Sequence, residues 1–393
     1  MCLKSTRQAV VLTLPESQDS NALKDQWYSA SGAAAPKRLE AVDDSLNADT
    51  AFRLACAGTA MHWQGDFAQA RQMLQALTRR VALAAKAQAA KPQVVPAAMP
   101  QAFHAYRMAQ AQRARILSML VLTIQADYRI ALRRAPEVHE ALTHAWGPAT
   151  GEARVVSLRE LLGVISAYEW QRKGVYVDVG LQEGLTVHPH YGVFSPVRNE
   201  YLQLLAKAPL PSLDLAFDIG TGTGVVAALL LMRGVKQVTA TDNSESALRC
   251  AQNNLQRLKL ADRTTLQLCD VFPTGLAPLI VCNPPWLPGK ATSLLEHAIY
   301  DPDSRMLRTF IAGVAAHLTP DGEAWLVLSD LAEHLNLRTR AQLLQWIADA
   351  GLQVLGRDDI RPSHAKVHDA SDALHAARQQ ELTSLWRLGV RVA

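Results

Sequence analysis

Residues 215–234 read LAFDIGTGTGVVAALLLMRG. Leu215 to Ile219 is an apolar run of strand length, the next five residues hold Gly220, Gly222 and Gly224, and Val225 opens a helix that Gly234 stops. A buried strand that turns through glycines into a helix lets backbone N–H groups approach a ligand closely, with the helix N-terminus pointing at it. From Leu215 onward short apolar strands alternate with helices, which predicts a parallel sheet covered on both faces. The glycine turn alone does not choose a ligand, because dehydrogenases and many nucleotide binders have one.

Three further strand ends narrow the choice. QVTATD (237–242) ends in Asp242, 22 residues after Gly220, where a carboxylate can accept hydrogen bonds from both hydroxyls of a ribose. TTLQLCD (264–270) ends at Asp270-Val271, where a carboxylate and a backbone N–H can read the edge of an adenine ring. LIVCNPPW (279–286) is an apolar strand that ends in Asn283-Pro284-Pro285-Trp286, where a fourth strand opens into the site. Taken singly, the glycines can serve close packing, the aspartates can cap helices, and N-P-P-W can be a rigid turn with a core tryptophan. Those readings do not explain why the four elements come in this order and spacing.

On these residues, Leu215 to Val392 resembles a class I S-adenosylmethionine-dependent methyltransferase, and N-P-P-W resembles the motif of enzymes that methylate planar amino nitrogens. Such relatives include adenine-N6 and guanine-N2 RNA methyltransferases, adenine-N6 DNA methyltransferases and release-factor glutamine-N5 methyltransferases. The resemblance implies a seven-stranded α/β sheet whose final strand, LTSLWRLGV (382–390), is antiparallel. It implies S-adenosylmethionine as cofactor, held by Asp218, Gly220, Thr221, Gly222, Gly224, Asp242, Asn243, Asp270, Val271 and Asn283. The catalytic set is then Asn283, Pro284, Pro285 and Trp286.

An amide or exocyclic amine is a poor nucleophile because its lone pair is delocalised into the adjacent π-system. The Asn283 side-chain oxygen and the Pro284 carbonyl can each accept one N–H from it, aiming the lone pair at a sulfonium methyl. The prolines freeze the loop and Trp286 can stack on a flat acceptor, so that orientation supplies much of the acceleration. This chemistry requires no metal, and His297, His317, His334, His364, His368 and His375 show no ligand spacing.

Upstream, HPHYGVFSPVRNE (188–200) stands where related enzymes have a segment that closes over the methionine end of the cofactor, which makes Phe194, Pro196 and Arg198 candidate substrate or cofactor contacts. VYVDVG and LTVHP, around Gly184, predict a β-hairpin leading into the methyltransferase domain at 174–393. Residues 48–173 are expected to form a helical substrate-recognition domain: a helical hairpin around Gly65-Asp66, an Ala/Pro linker at 86–100, then helices from Gln101 to about Asp127 and from Pro136 to Trp146. A last helix starts at a Ser157/Glu160 capping box and ends at Gly174. Residues 1–47, polar, small and without periodicity, are expected to be largely disordered. Beyond the N-P-P-W motif the pattern gives an amphipathic helix over DPDSRMLRTFIAGVAAHL (301–318), a Thr319–Gly322 turn, the strand EAWLVLSD, a helix from about Asn336 to Ala350 and a strand at 352–355.

The first 150 residues carry 17 lysines and arginines against 11 acids, and between Gln101 and Arg134 six arginines face the single acid Asp127. Such a surface suits a phosphate backbone or an acidic protein, with Arg113, Arg115 and Arg133 as candidate contacts, although a solvated helix face is the ordinary alternative. A hydrophobic content of 49% with 19% charged residues excludes a wholly disordered or fibrous chain, and no apolar run approaches the roughly 18 residues of a membrane span. The opening MCLKSTRQAVVLTLP is too short in its apolar part for an export signal, and five cysteines without a C-x-x-C pair point to reduced thiols, a cytoplasmic location and no zinc.

The expectation is an N-methyltransferase acting on a planar amide or exocyclic amino nitrogen of RNA or of a translation protein. The alternatives are a non-catalytic RNA- or ribosome-binding factor on the same scaffold, or a small-molecule N-methyltransferase. Intact Asp242, Asp270 and Asn283 favour catalysis. An NAD-dependent dehydrogenase leaves N-P-P-W unexplained, and the glycine spacing is G-x-G-x-G where that enzyme needs G-x-G-x-x-G.

Overall fold

A computed structural model describes residues 25–89, 99–196, 198–363 and 372–391. The expectations for residues 1–24 and for most of the Ala/Pro linker fall outside the described residues, as does part of the insertion before the final strand. The described residues divide into two compact units, the first drawn from within Met1–Pro96 and Ala105–Tyr168, the second from within Ala97–His104 and Glu169–Ala393.

The first unit is not all-helical. Its strands β1 (Arg38–Val42), β2 (Thr59–Trp63), β3 (Leu120–Ile124) and β4 (Arg154–Ser157) form one sheet in that order. β1, β2 and β3 are mutually parallel, and β4 is antiparallel to β3. The helices in this part of the chain are α1 (Ala48–Cys56), α2 (Phe67–Ala89), α3 (Met99–Leu117), α4 (His139–Trp146) and α5 (Leu158–Lys173). The expected first helix therefore stops at Cys56, and the expected helix to Asp127 stops at Leu117. The reason is burial on both faces: all five residues of β2 are buried, so TAMHW shows no alternation of apolar and polar residues by which periodicity can separate it from a helix. Gly58, at φ +78°, makes the turn that ends α1. Residues 38–42, placed in the expected disordered tail, are the edge strand of this sheet. The Ser157 cap holds as read, with the Glu160 N–H donating to Ser157 Oγ at 3.0 Å, but Glu160 Oε1 accepts from the Ala30 N–H at 2.7 Å.

In the second unit β5 (Val175–Val177) and β6 (Leu185–Val187) pair antiparallel as the expected hairpin, and α6 (Glu200–Lys207) follows. The large sheet contains β7 (Leu215–Ile219), β8 (Gln237–Asp242), β9 (Thr264–Leu268), β10 (Ala277–Cys282), β11 (Leu318–Ser329), β12 (Leu352–Ile360) and β13 (Thr383–Val390). Its order is β12-β13-β11-β10-β7-β8-β9, parallel except for β13, which is antiparallel to both neighbours. This is the seven-stranded class I methyltransferase sheet that the sequence implied.

Helices α7 (Val225–Met232), α8 (Glu245–Arg257), α9 (Arg305–His317), α10 (Leu331–His334), α11 (Arg340–Asp349) and α12 (His375–Gln380) complete the unit. Alternate residues of each strand feed two cores. Ala216, Leu279, Val281, Trp325 and Val327 pack with α6 and α7 on one face, whereas Phe217, Ile280, Cys282, Leu326 and Leu328 pack with Leu307, Phe310 and Leu343 on the other. Seven of the eight residues of α7 are buried, which explains the unbroken VVAALLL run behind the glycines.

Two details differ from expectation. The Thr319–Gly322 turn is a bulge inside β11, where the register with β10 jumps between Ala277 and Leu279. The helix expected from Asn336 starts at Arg340, because Asn336 sits at φ 55° and a reciprocal Thr339/Gln342 capping box sets the later start.

Candidate functional site

The register of the sheet gathers the motifs. Cys282 pairs with Ile219, Ile219 pairs with Thr241, and Asp242 pairs with Leu268. Gly220, Asp242, Asp270 and Asn283 therefore leave four adjacent strands at one edge of the sheet, at the point where the strand order reverses.

The turn from β7 to α7 is held from both sides. Gly220, Gly222 and Gly224 adopt φ of +72°, +54° and +79°. The Thr221 N–H donates to the Thr241 carbonyl at 2.8 Å. Asp218 lies beneath the loop, 2% exposed, where its Oδ2 accepts from the Thr221 hydroxyl at 2.6 Å and from the Ala227 N–H at 3.0 Å. Burial pushes the Asp218 carboxyl up to about 6, with the charge of Asp242 adding to the rise and the two hydrogen bonds opposing it. Asp218 thus supports the loop from inside.

Asp242 crosses the mouth of this turn. Its Oδ2 accepts from the Gly222 N–H at 3.1 Å and its Oδ1 from the Ser244 N–H at 3.0 Å. Burial raises its pKa, and these backbone donors counter the rise. Each carboxylate oxygen keeps a second acceptor position. Asn243 beside it is exposed. A Cβ on Gly222 would meet nothing within 4 Å, so the loop faces open space next to Asp242; a Cβ on Gly220 would stand 3.0 Å from Met306 Cε. An open backbone cradle beside a carboxylate fits the ribose and methionine parts of S-adenosylmethionine.

Asp270 is exposed and its carboxylate is engaged by Arg305, at 3.0 and 3.4 Å. Val271, a β-branched residue at φ 76°, occupies the left-handed region that such residues avoid, and its carbonyl accepts from Thr241 Oγ1 at 2.8 Å. A backbone held there costs about 1–3 kcal/mol.

At the end of β10, Asn283 Oδ1 accepts from Trp286 Nε1 at 2.9 Å. The side chain of Asn283 also has the hydroxyl of the buried Tyr201 as hydrogen-bond partner, and burial together with the Asp218 charge raises the Tyr201 pKa. Trp286 packs against both cores, and the Arg198 guanidinium lies over its ring at 4.9 Å. Trp286, expected to stack on a flat acceptor, and Arg198, expected as a substrate or cofactor contact, thus lie against each other. Pro196 is buried and Phe194 is exposed. Their segment is anchored by Val193, which packs on Ala247 and Cys250 of α8.

The arginines of the first unit are largely engaged. Arg133 and Arg134 donate to Asp66 at 3.1 and 2.7 Å, Arg129 pairs with Asp127, and Arg115 donates to Gln112 at 3.1 Å and to the Cys56 carbonyl at 3.4 Å. Arg113 is exposed. Among the described residues no cluster of three potential metal ligands occurs, and no helix is long and apolar enough to cross a membrane. Sequence reasoning missed Tyr201, Met306, Arg305 and Glu381. Only Arg305 carried a local signal, as a cation in the first turn of the helix that follows the motif.

Residues 184–347 match the family model of the methyltransferase small domain. A release factor glutamine methyltransferase of Rhodopirellula baltica is 35% identical over 34% of this chain and 43% of its own length. A tRNA1(Val) (adenine(37)-N6)-methyltransferase of Shewanella halifaxensis is 27% identical over 48% of this chain and 83% of its own. The chain thus spans less than half of the first relative and most of the second. A ribosomal protein L11 methylase structure from Lactobacillus delbrueckii subsp. bulgaricus is 18% identical, with a TM-score of 0.37 over 55% of this chain and 99% of that one. Strand order, glycine cradle and family match point the same way: residues 184–347 are similar to the methyltransferase small domain.

Proposed function

We propose that the protein is an S-adenosylmethionine-dependent N-methyltransferase whose acceptor is a planar amide or exocyclic amino nitrogen in RNA or in a protein of the translation machinery, and that it works in the cytoplasm. The observation that carries this reading is the register that sets Asn283 beside Gly220, one strand away from the cradle that Asp242 closes. The names of the two relatives, one a glutamine and one an adenine-N6 methyltransferase, support a nitrogen of this kind.

The bound cofactor supplies an electrophilic methyl group. The protein's own part is placement. Asp242 and the Gly222 turn hold the nucleoside end, Asp218 and Thr221 keep that turn rigid, and Asn283 with the Pro284 carbonyl accepts the acceptor's N–H groups. Two acceptors on a proline-stiffened loop fix the direction of a weakly nucleophilic lone pair, and orientation of this kind lowers the barrier without a covalent intermediate.

The test incubates the purified chain with methyl-labelled donor and, separately, transfer RNA, ribosomal RNA and release factors, then locates the new methyl by mass spectrometry. N-methylated amide or amine is expected, and Asn283→Ala is expected to lower kcat by about two orders of magnitude with donor affinity nearly intact. A methyl found on carbon, oxygen or sulfur refutes this use of Asn283.

A further inference from the structure

Arg198 is pinned by two acids, Glu200 two residues along the chain and Glu381 from a distant part of it. Its Nε and Nη2 donate to Glu200 Oε1 at 3.1 and 2.8 Å, and Nη2 also donates to Glu381 Oε1 at 3.1 Å. The Glu381 side chain is completely buried; its Oε1 also accepts from the Ser329 hydroxyl at 2.7 Å, whereas its Oε2 has no hydrogen-bond partner. An unpaired buried carboxylate oxygen costs stability, so stability alone does not account for this acid. What it fixes is the guanidinium, and the guanidinium lies over Trp286, whose Nε1 donates to Asn283 Oδ1.

We propose that Glu381 and Arg198 are positioning residues for methyl transfer, acting through Trp286 on the side-chain amide of Asn283; the proposal rests on the reading of Asn283 as the group that orients the acceptor nitrogen. An asparagine amide has an accepting end and a donating end, and an acceptor N–H can be held only by the first. An indole N–H is a donor only, so an indole locked in place, together with the Tyr201 hydroxyl that also bonds this side chain, sets which end of the amide faces the acceptor. The cation over the ring does the locking, and the two carboxylates hold the cation. Arg198 therefore reaches the acceptor at second hand.

The experiment uses full-length protein labelled with 15N at tryptophan, saturated with S-adenosylhomocysteine and without acceptor. Trp286→Phe identifies the Trp286 indole signal. Glu381→Gln and Arg198→Lys should make that N–H exchange with solvent at least about fivefold faster than in the wild type. In turnover with transfer RNA and release-factor probes the same variants should lower kcat roughly two- to tenfold, the worth of one neutral hydrogen bond, with acceptor KM and S-adenosylhomocysteine Kd unchanged. Unchanged indole exchange overturns the proposal. So does a raised acceptor KM at constant kcat, which makes Arg198 a direct contact. If Glu381→Gln does not fold, Arg198→Lys decides alone, because it keeps the charge and removes the planar fork. Failure of the wild type to methylate any probe counts against the N-methyltransferase reading, and the exchange measurement still decides the positioning.

Discussion

Asp218 should make stability fall with rising pH in a way that one substitution isolates. In the fold its carboxyl titrates at about 6, against 3.8 for the free group, chiefly because it is buried beneath the glycine loop. A raised native pKa means that the folded chain holds this proton more tightly than the unfolded chain. The contribution is therefore fully present below pH 3.8 and lost as pH climbs through about 6. A gap of roughly two pKa units, at 1.36 kcal/mol each, amounts to about 3 kcal/mol over the whole titration, of which about 2.4 kcal/mol falls between pH 4 and pH 7. Asp218→Asn keeps an oxygen for the Thr221 hydroxyl and the Ala227 N–H and has no proton to lose. Urea unfolding of both proteins from pH 4 to pH 8 should show the wild type losing about 2.4 kcal/mol relative to the variant, most of it before pH 6.5. A difference that stays flat within about 0.5 kcal/mol refutes the argument that burial dominates at Asp218.

Asp242→Ala should weaken S-adenosylmethionine and S-adenosylhomocysteine by about 1–3 kcal/mol in calorimetry, since a carboxylate that accepts from a ribose is worth a charge-assisted hydrogen bond. Gly222→Ala puts a methyl into open space at φ +54°, so it should cost only about 1 kcal/mol of folding stability yet reduce donor affinity more than about tenfold, by filling the cradle. Arg338 is 3% exposed, and Nε, Nη1 and Nη2 all lack hydrogen-bond partners. Replacing it by Met should stabilise the fold by about 1–4 kcal/mol in denaturant melts, and a loss of stability would mean that Asp301 and Glu333 already balance its charge.

The second unit was readable because its signals are local and reinforce one another. A strand end, a glycine turn and a helix lie within residues 215–234, and Asp242 and Asn283 follow at the ends of neighbouring strands. The first unit was misread because β2 and β3 are short parallel strands buried on both faces, and TAMHW or LVLTI has no alternation to betray a strand. The partners of Arg198 were illegible for a different reason. Glu381 is 183 residues away, and no spacing rule links two residues that meet only because β13 runs backwards. The positive φ of Val271 was equally hidden, since nothing about a valine announces the one conformation it avoids.

That reversed strand has a consequence for how the molecule is made. β13 slots between β11 and β12 and is the last strand of the sheet to leave the ribosome. Until it arrives, β12 has no neighbour and β11 presents an open edge over Ala324 to Ser329, with the aromatic and aliphatic Trp325, Leu326, Val327 and Leu328 in the middle of it. A nascent chain paused at that stage already owns its glycine cradle but carries an adhesive flank, the kind of edge that captures other chains. Translation speed through the final codons of this sheet thus bears on yield, and slowing it should send newly made protein to chaperones or aggregates well before any defect shows in the finished protein.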